Sequence, residues 1–197
     1  MDVEKYARWN KLIITKVSAQ KRPGRYNVFI DGKYAFSAGE KTLAEFVLLK
    51  GKELNDEQVE KIRQFDADAK ASDLAAHFLS YEPRTIFEVL QYLKKHEISD
   101  EAANSAVSQL NELGYLDDRQ YAKLFIKNDL RVGSDGPKIL LRKLTQKGVD
   151  PEISQDKLDE IDEEDWLEVG QRVIKSMSHQ VGKISQRELE RKMRTKL

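Results

Sequence analysis

No cysteine occurs among the 197 residues. Disulfides, thiolate metal ligands and a cysteine nucleophile are therefore excluded, and a reducing compartment fits. Histidine is scarce: His77, His96 and His179 stand far apart with no second histidine or carboxylate at ligand spacing. His77, next to apolar Phe78, is read as a helix-surface or packing residue. No apolar run approaches the roughly 20 residues that span a bilayer; the stretch Leu43–Leu49 is short and interrupted by Glu45. The first ten residues carry Asp2, Glu4, Lys5 and Arg8 without an apolar core, unlike a signal peptide. The expected address is the cytoplasm, with no membrane partner.

Catalytic motifs are missing as well. Gly32-Lys33 and Gly51-Lys52 lack the upstream glycine of a phosphate-binding loop, and no serine sits in a nucleophile elbow. The acidic stretch Asp159–Asp165 has neither the alternating ligands nor the glycine of a cation-binding loop. It is read as a solvated linker leading into a helix N-terminus, where the macrodipole favours negative charge. The expectation is a non-enzymatic binding protein without cofactor or metal.

What is present is charge. Hydrophobic residues make up 40% and charged residues 35% of the chain, a balance suited to thin repeated layers rather than one sphere. Net charge is zero but polarised. Nine Lys/Arg face three acids between Lys11 and Lys52, ten acids face one lysine between Asp150 and Glu168, and eight Lys/Arg face two acids after that. Such a chain can meet an anionic surface with its ends while remaining neutral overall.

The first section reads as β. Leu12–Ala19 and Tyr26–Ile30 are rich in β-branched and aromatic residues, with a turn at Lys21-Arg22-Pro23-Gly24. Asp31-Gly32 before Lys33–Phe36 predicts a two-residue hairpin, because both central residues need positive φ. A small three-stranded antiparallel meander follows, needing a helix over one face. That helix is expected to start at Thr42, with Glu45 completing a capping box and Leu43, Phe46 and Val47 as its stripe, and to stop at Gly51.

From Asn55 onward the pattern is helical. Capping boxes stand at Asn55/Gln58 and Thr85/Glu88, N-caps at Ser99 and Asp117, Pro137 and Pro151 at first helical turns, and Gly114 and Gly148 at helix ends. A break in the first long helix is expected near Asp66–Ser72. Shifting the chain by 51 residues superposes Leu90 and Leu93 on Leu141 and Leu144, Ile98 on Val149, Val107 on Leu158, and Ala71, Leu74 and Leu79 on Ala122, Phe125 and Leu130. A third copy begins near Asp165, with Val169, Val173, Ile174 and Met177 as its stripe. Ser185/Glu188 then cap a helix holding Leu189, Met193 and Leu197. The stripe is still running at Leu197, so the third unit is expected to be truncated there.

The predicted class is mainly α: tandem three-helix repeats in an elongated curved array behind a small β-meander. The expected boundaries are 1–54 for the meander and covering helix, 55–116 and 117–160 for two repeats, and 161–197 for the start of a third. Candidate partner-binding residues are Arg84, in a loop beside Pro83, Arg131, and Lys138, Arg142, Lys143 and Lys147 opposite the apolar stripe of one helix. Lys21, Arg22 and Arg25 on the hairpin turn form an auxiliary phosphate or DNA contact.

Specific strings carry further. Gly114-Tyr115-Leu116-Asp117-Asp118-Arg119-Gln120-Tyr121-Ala122 resembles the G-Y-hydrophobic-D-D-x-x-[YF]-A signature of the RecX family, Gram-positive branch. Gly136-Pro137-Lys138-Ile139 followed by Leu144 and Lys147-Gly148-Val149 is similar to a second family segment, and Leu79-Ser80-Tyr81-Glu82-Pro83-Arg84-Thr85 to a third. Arg25-Tyr26-Asn27-Val28 and Asp31–Ser37 resemble its N-terminal strings. Locally these residues are architectural, with Gly114 closing a helix, Asp117 capping the next, and Tyr115 and Leu116 stapling the corner.

The resemblance implies a regulator of RecA, connected with DNA repair, recombination and the SOS response. Such a protein would bind as a monomer in the groove of the RecA–single-stranded DNA filament and inhibit its ATPase, strand-exchange and coprotease activities. Weak contact with single-stranded DNA would accompany this. The alternatives are a direct single-strand binder and a helical adaptor docking through Asp159–Asp165. Two departures from the family pattern stand out. Glu82 replaces an arginine, and His96-Glu97 replaces a lysine-glycine helix end that must close without glycine.

Overall fold

The computed structural model describes residues 11–178 and 185–196; His179, Leu197 and residues 1–10 lie outside them. The protein is mostly helical, with an antiparallel sheet at its N-terminal side and nine helices among the described residues. It divides into two compact units. One comprises residues up to His77 together with Leu93–Gln109, the other Phe78–Tyr92 together with residues from Leu110 onward.

In the first unit, β1 (Leu12–Ala19), β2 (Arg25–Ile30) and β3 (Lys33–Gly39) form the expected meander. Asp31 and Gly32 take φ values of 49° and 81°, joining Ile30 to Lys33 by the two-residue turn that their sequence favours. A fourth strand, β4 (Glu53–Leu54), pairs with Leu12 and Ile13 and gives the order β3-β2-β1-β4. Two residues carry no readable alternation, which is why the pattern shows only three strands.

The predicted helix from Thr42 to Gly51 is corrected. α1 spans only Glu40–Glu45, with Gly39 at its N-cap and no side-chain cap. Thr42 is buried and its hydroxyl donates to Asp66 Oδ1 (2.8 Å), so it cannot cap. Past Phe46 the chain turns at Val47, whose φ is 46°, a left-handed conformation costing a β-branched residue about 1–3 kcal/mol.

Cover for the sheet comes from α2 (Asp56–Leu79), whose Val59 and Ile62 join Ile14, Val28, Phe36 and Leu54 in one core. Asn55 and Gln58 exchange backbone-to-side-chain hydrogen bonds of 2.9 and 2.8 Å at its start. α2 runs unbroken through Asp66–Ser72, where a break was expected. Asp66 faces inward and is held by three donors: Arg25 Nη1 (3.1 Å), Gly39 N–H (2.7 Å) and the Thr42 hydroxyl.

The remaining helices are α3 (Ile86–Lys95), α4 (Asp100–Glu112), α5 (Asp118–Val132), α6 (Pro137–Gln146), α7 (Pro151–Asp159), α8 (Glu163–Met177) and α9 (Gln186–Lys196). α3 and α6 start and stop 51 residues apart, and so do the starts of α4 and α7. Burial repeats at the same interval: Ala71 and Ala122, Val89 and Leu140, Leu93 and Leu144, Ile98 and Val149, Val107 and Leu158 are all buried. The equivalents Glu97 and Gly148 both take positive φ, 58° and 82°. The first corner therefore closes without glycine by straining Glu97.

In the second unit α5, α6 and α7 pack around Ala122, Ile126, Leu140, Leu144, Val149 and Leu158, with Trp166 against them. Each fully buried aliphatic side chain contributes about 1.5–3 kcal/mol. α8 buries Val169, Val173 and Met177, whereas Ile174, expected in that stripe, is exposed. Arg172 on α8 donates to the carbonyls of Leu130 (2.5 Å) and Gly133 (2.9 Å), closing the end of α5.

Candidate binding surface

The loop before α3 is pinned from three directions within the second unit. Thr85 and Glu88 form the reciprocal capping box, both bonds 3.1 Å. The Thr85 hydroxyl donates to the Lys147 carbonyl (2.6 Å), and the Ile86 N–H donates to Asp118 Oδ1 (3.0 Å). Burial raises the Asp118 carboxyl above its ordinary value against this hydrogen bond, with Asp117 and Glu88 adding repulsion.

A fixed loop presents Arg84. Its guanidinium lies 4.4 Å from the Phe78 ring centroid, pairs with Glu82, and buries an Nε–H that has no acceptor. Phe78 is itself stacked on Tyr92 at 4.1 Å. Glu82 thus partly neutralises Arg84. Between this loop and the start of α5 lies a cleft of about 490 Å³, lined by Arg84, Tyr81, Tyr115, Gln120 and Leu124 among others. Tyr81 and Tyr115 are 71% and 70% exposed. Arginine and tyrosine are the residues over-represented at binding hot spots. Tyr115 and Leu116 were expected to staple the corner beside Gly114; Leu116 is buried at 1% exposure, whereas Tyr115 faces solvent.

The α6 cations separate into two groups. Lys138 and Arg142, one helical turn apart, are exposed and have no ion-pair partner among the described residues, as is Arg131 in the last turn of α5. Lys143 instead pairs with Asp135 and Lys147 with Glu88 (2.8 Å), so both are half-buried supports and not part of an open face. The Glu88 hydrogen bond holds the Lys147 ammonium above its usual range, with burial opposing, and its charge lies 5.7 Å from the Tyr121 ring. All four were expected opposite the Ile139–Leu144 stripe, but Lys143 lies about 140° round the helix from Lys138 and Lys147 caps its end, where Asp135 and Glu88 reach them.

The hairpin cations divide similarly. Lys21 and Arg22 are exposed on the turn. Arg25 is not on the turn tip: it opens β2, pairs with Asp66 at 2.9 Å and donates to the Ser37 hydroxyl at 2.8 Å. Its role is architectural. Asp66, Tyr81 and Tyr115 are the residues that the sequence left unassigned to these places; only the exposed aromatic beside each turn could have signalled the tyrosines. In the acidic stretch, Glu163, Glu164 and Asp165 occupy the first turn of α8, and Glu160 pairs with Lys157. Among the described residues no group of three His, Asp or Glu side chains is placed to hold a metal, and no helix is long and apolar enough to cross a membrane.

Fold and surface define a class: a helical-repeat protein with a small antiparallel sheet, presenting arginine, lysine and tyrosine side chains from its helical unit. Residues 12–55 match the regulatory protein RecX N-terminal domain and residues 71–110 the first three-helix domain of RecX. The regulatory protein RecX of Lactobacillus delbrueckii subsp. bulgaricus is 58% identical over 185 residues, covering 94% of this chain and 68% of that protein. That of Listeria welshimeri is 35% identical over 185 residues, covering 93% and 69%. A crystal structure of regulatory protein RecX matches with a TM-score of 0.70 and 31% identity, covering 92% of this chain and 90% of that one. RecX from Lactobacillus salivarius matches with a TM-score of 0.59 and 25% identity, covering 66% and 84%. The chain belongs to the RecX family, whose matched members are named regulatory proteins.

Proposed function

We propose that this chain regulates the RecA recombinase, acting in the cytoplasm as a monomer that binds in the groove of the RecA–single-stranded DNA filament and restrains its ATPase, strand-exchange and coprotease activities. The observation that carries the reading is 58% identity to a regulatory protein RecX across 94% of the chain. Arg131, Lys138 and Arg142, exposed and without ion-pair partners among the described residues, supply contacts to acidic groups of the filament. Arg84 acts in the tyrosine-rimmed cleft, where a partner carboxylate can displace Glu82. Lys143 and Lys147 join only by leaving Asp135 and Glu88, and Lys21 and Arg22 are auxiliary DNA contacts. The deciding assay is RecA ATPase on single-stranded DNA with increasing amounts of this chain; absence of inhibition at stoichiometric ratios overturns the proposal.

A second reading, direct single-strand binding, draws on the exposed Tyr81 and Tyr115, since bases stack on aromatic faces. It predicts tight binding to bare DNA with steep salt dependence, whereas the filament reading predicts weak binding to bare strands.

A further inference from the structure

The first unit carries an open sheet edge whose outward peptide groups the proposed regulation leaves unused, although it shares the turn cations Lys21 and Arg22. β1 pairs with β2 along its length but with β4 only at Leu12 and Ile13. Ile14 adds two bonds on that side, donating to the Lys52 carbonyl (3.0 Å) and accepting from the Gly51 N–H (2.7 Å). Beyond the bulge between Ile14 and Lys16, no strand among the described residues covers the outer side of β1. The Gln20 N–H donates to the Arg25 carbonyl (2.8 Å), which sets the alternation of the ladder. The peptide groups of Lys16 and Ser18 then face β2, and those of Val17 and Ala19 face outward. Unpaired peptide groups on an edge are a template for another strand.

Beside this edge lies a cleft of about 830 Å³, lined by Val17, Leu43, Ala44, Val47 and Leu49 with Lys16 and Lys50. Val47 and Leu49 are 58% and 64% exposed. Val47 is also the β-branched residue held at positive φ; backbone strain of this kind clusters at ligand clamps. The charge around the edge is mostly positive. Lys16 and Lys50 line the cleft, Lys21 and Arg22 are exposed on the turn following β1, and none of the four forms an ion pair among the described residues. Glu40, the acid lining the cleft, accepts a hydrogen bond from the Tyr26 hydroxyl (3.3 Å).

We propose that the outer edge of β1 and this cleft form a strand-addition site for an extended, acidic peptide segment of a partner protein. Its backbone pairs with the outward peptide groups of Val17 and Ala19. Its alternate apolar side chains enter the cleft, and its carboxylates meet Lys16, Lys50 and the turn cations. A second copy of this chain fits poorly, because edge-to-edge pairing would juxtapose two cationic edges. A nucleic acid strand could use the cations but has no peptide ladder to offer Val17 and Ala19.

The test uses the intact chain and a fluorescein-labelled ten-residue peptide alternating valine and glutamate, followed by anisotropy. Saturable binding is expected, weakened at least tenfold when the glutamates become lysines or when alternate peptide nitrogens are methylated. Leu49→Asp and Lys50→Glu, both at exposed positions, should each weaken it, with far-UV circular dichroism confirming that the fold is retained. Hydrogen exchange at the Val17 and Ala19 amides should slow on binding. Equal binding of the lysine peptide, indifference to methylation, unchanged exchange at Val17, preference for single-stranded DNA, or dimerisation through this edge would each overturn the proposal. RecA plays no part in the assay, so its outcome is independent of the regulatory reading.

Discussion

Replacing Asp66 by alanine removes one carboxylate that holds three parts of the first unit together. Asp66 is 7% exposed and accepts from the Arg25 guanidinium, the Gly39 N–H at the start of α1, and the Thr42 hydroxyl. Its loss leaves a mostly buried cation and two neutral donors without an acceptor. Breaking a buried ion pair costs about 3–5 kcal/mol, and each abandoned neutral donor about 1–3 kcal/mol. Arg25 keeps the Ser37 hydroxyl and is 23% exposed, so water recovers part of the loss. The expected destabilisation is therefore about 4–8 kcal/mol for Asp66→Ala. Asp66→Asn, which keeps an acceptor but not the charge, should lose about 1–3 kcal/mol. Urea unfolding followed by far-UV circular dichroism measures both. Hydrogen exchange should locate the loss in β2, α1 and the middle of α2. The Arg25→Ala/Asp66→Ala double variant should be less unstable than the sum of its singles by at least ~1 kcal/mol. A loss below ~1 kcal/mol for Asp66→Ala, or strict additivity with Arg25→Ala, would refute the assignment of Asp66 as the central acceptor.

Gly148→Ala should destabilise the second unit by about 2–4 kcal/mol, because its φ is 82° and an added Cβ would overlap the Phe87 side chain; thermal melts check this, and a neutral result would contradict the geometry. Burial raises the Asp118 carboxyl, so the folded chain holds that proton more tightly than the unfolded one and this group's contribution to stability falls as pH rises from 3.8 upward. Asp118→Asn keeps the acceptor for Ile86 and should exceed the parent in stability at pH 7, with the advantage shrinking toward pH 4 in urea titrations. The triple variant Arg131→Ala/Lys138→Ala/Arg142→Ala should fold normally, since none of the three forms an ion pair among the described residues. It should require about 10–100-fold more protein to inhibit RecA ATPase; unchanged inhibition would remove these cations from the interface.

Much of the local structure was legible. Asp31-Gly32, the Asn55/Gln58 and Thr85/Glu88 boxes, Asp117 and Pro137 all act where their chemistry places them, because a turn or cap is decided within four residues. The 51-residue repeat was legible too, since Ala71, Val89, Leu93, Ile98 and Val107 are each matched by a buried apolar residue in the next copy, although buried Ala103 and Ala106 fall on Ser154 and Lys157. What the pattern misplaced depended on residues distant in the chain. Thr42 has the composition of a cap, yet Asp66, 24 residues away, takes its hydroxyl. Arg25 has the composition of an exposed turn cation, yet the same carboxylate draws it inward. Lys143 and Lys147 were grouped with Lys138 and Arg142 as one outer face, yet at 3.6 residues per turn they lie round the helix from that pair, where Asp135 and Glu88 meet them.

The sequence by itself determined the hairpin, the repeat interval and most helices and caps, α1 and Thr42 excepted, because these follow from interactions reaching a few residues along the chain. Tertiary structure alone decided which cations remain open, where the sheet edge is left uncovered, and how Tyr81, Arg84 and Tyr115 meet around one cleft. Burial and charge pairing are set by whichever groups the fold carries into contact, and side-chain periodicity contains no record of them.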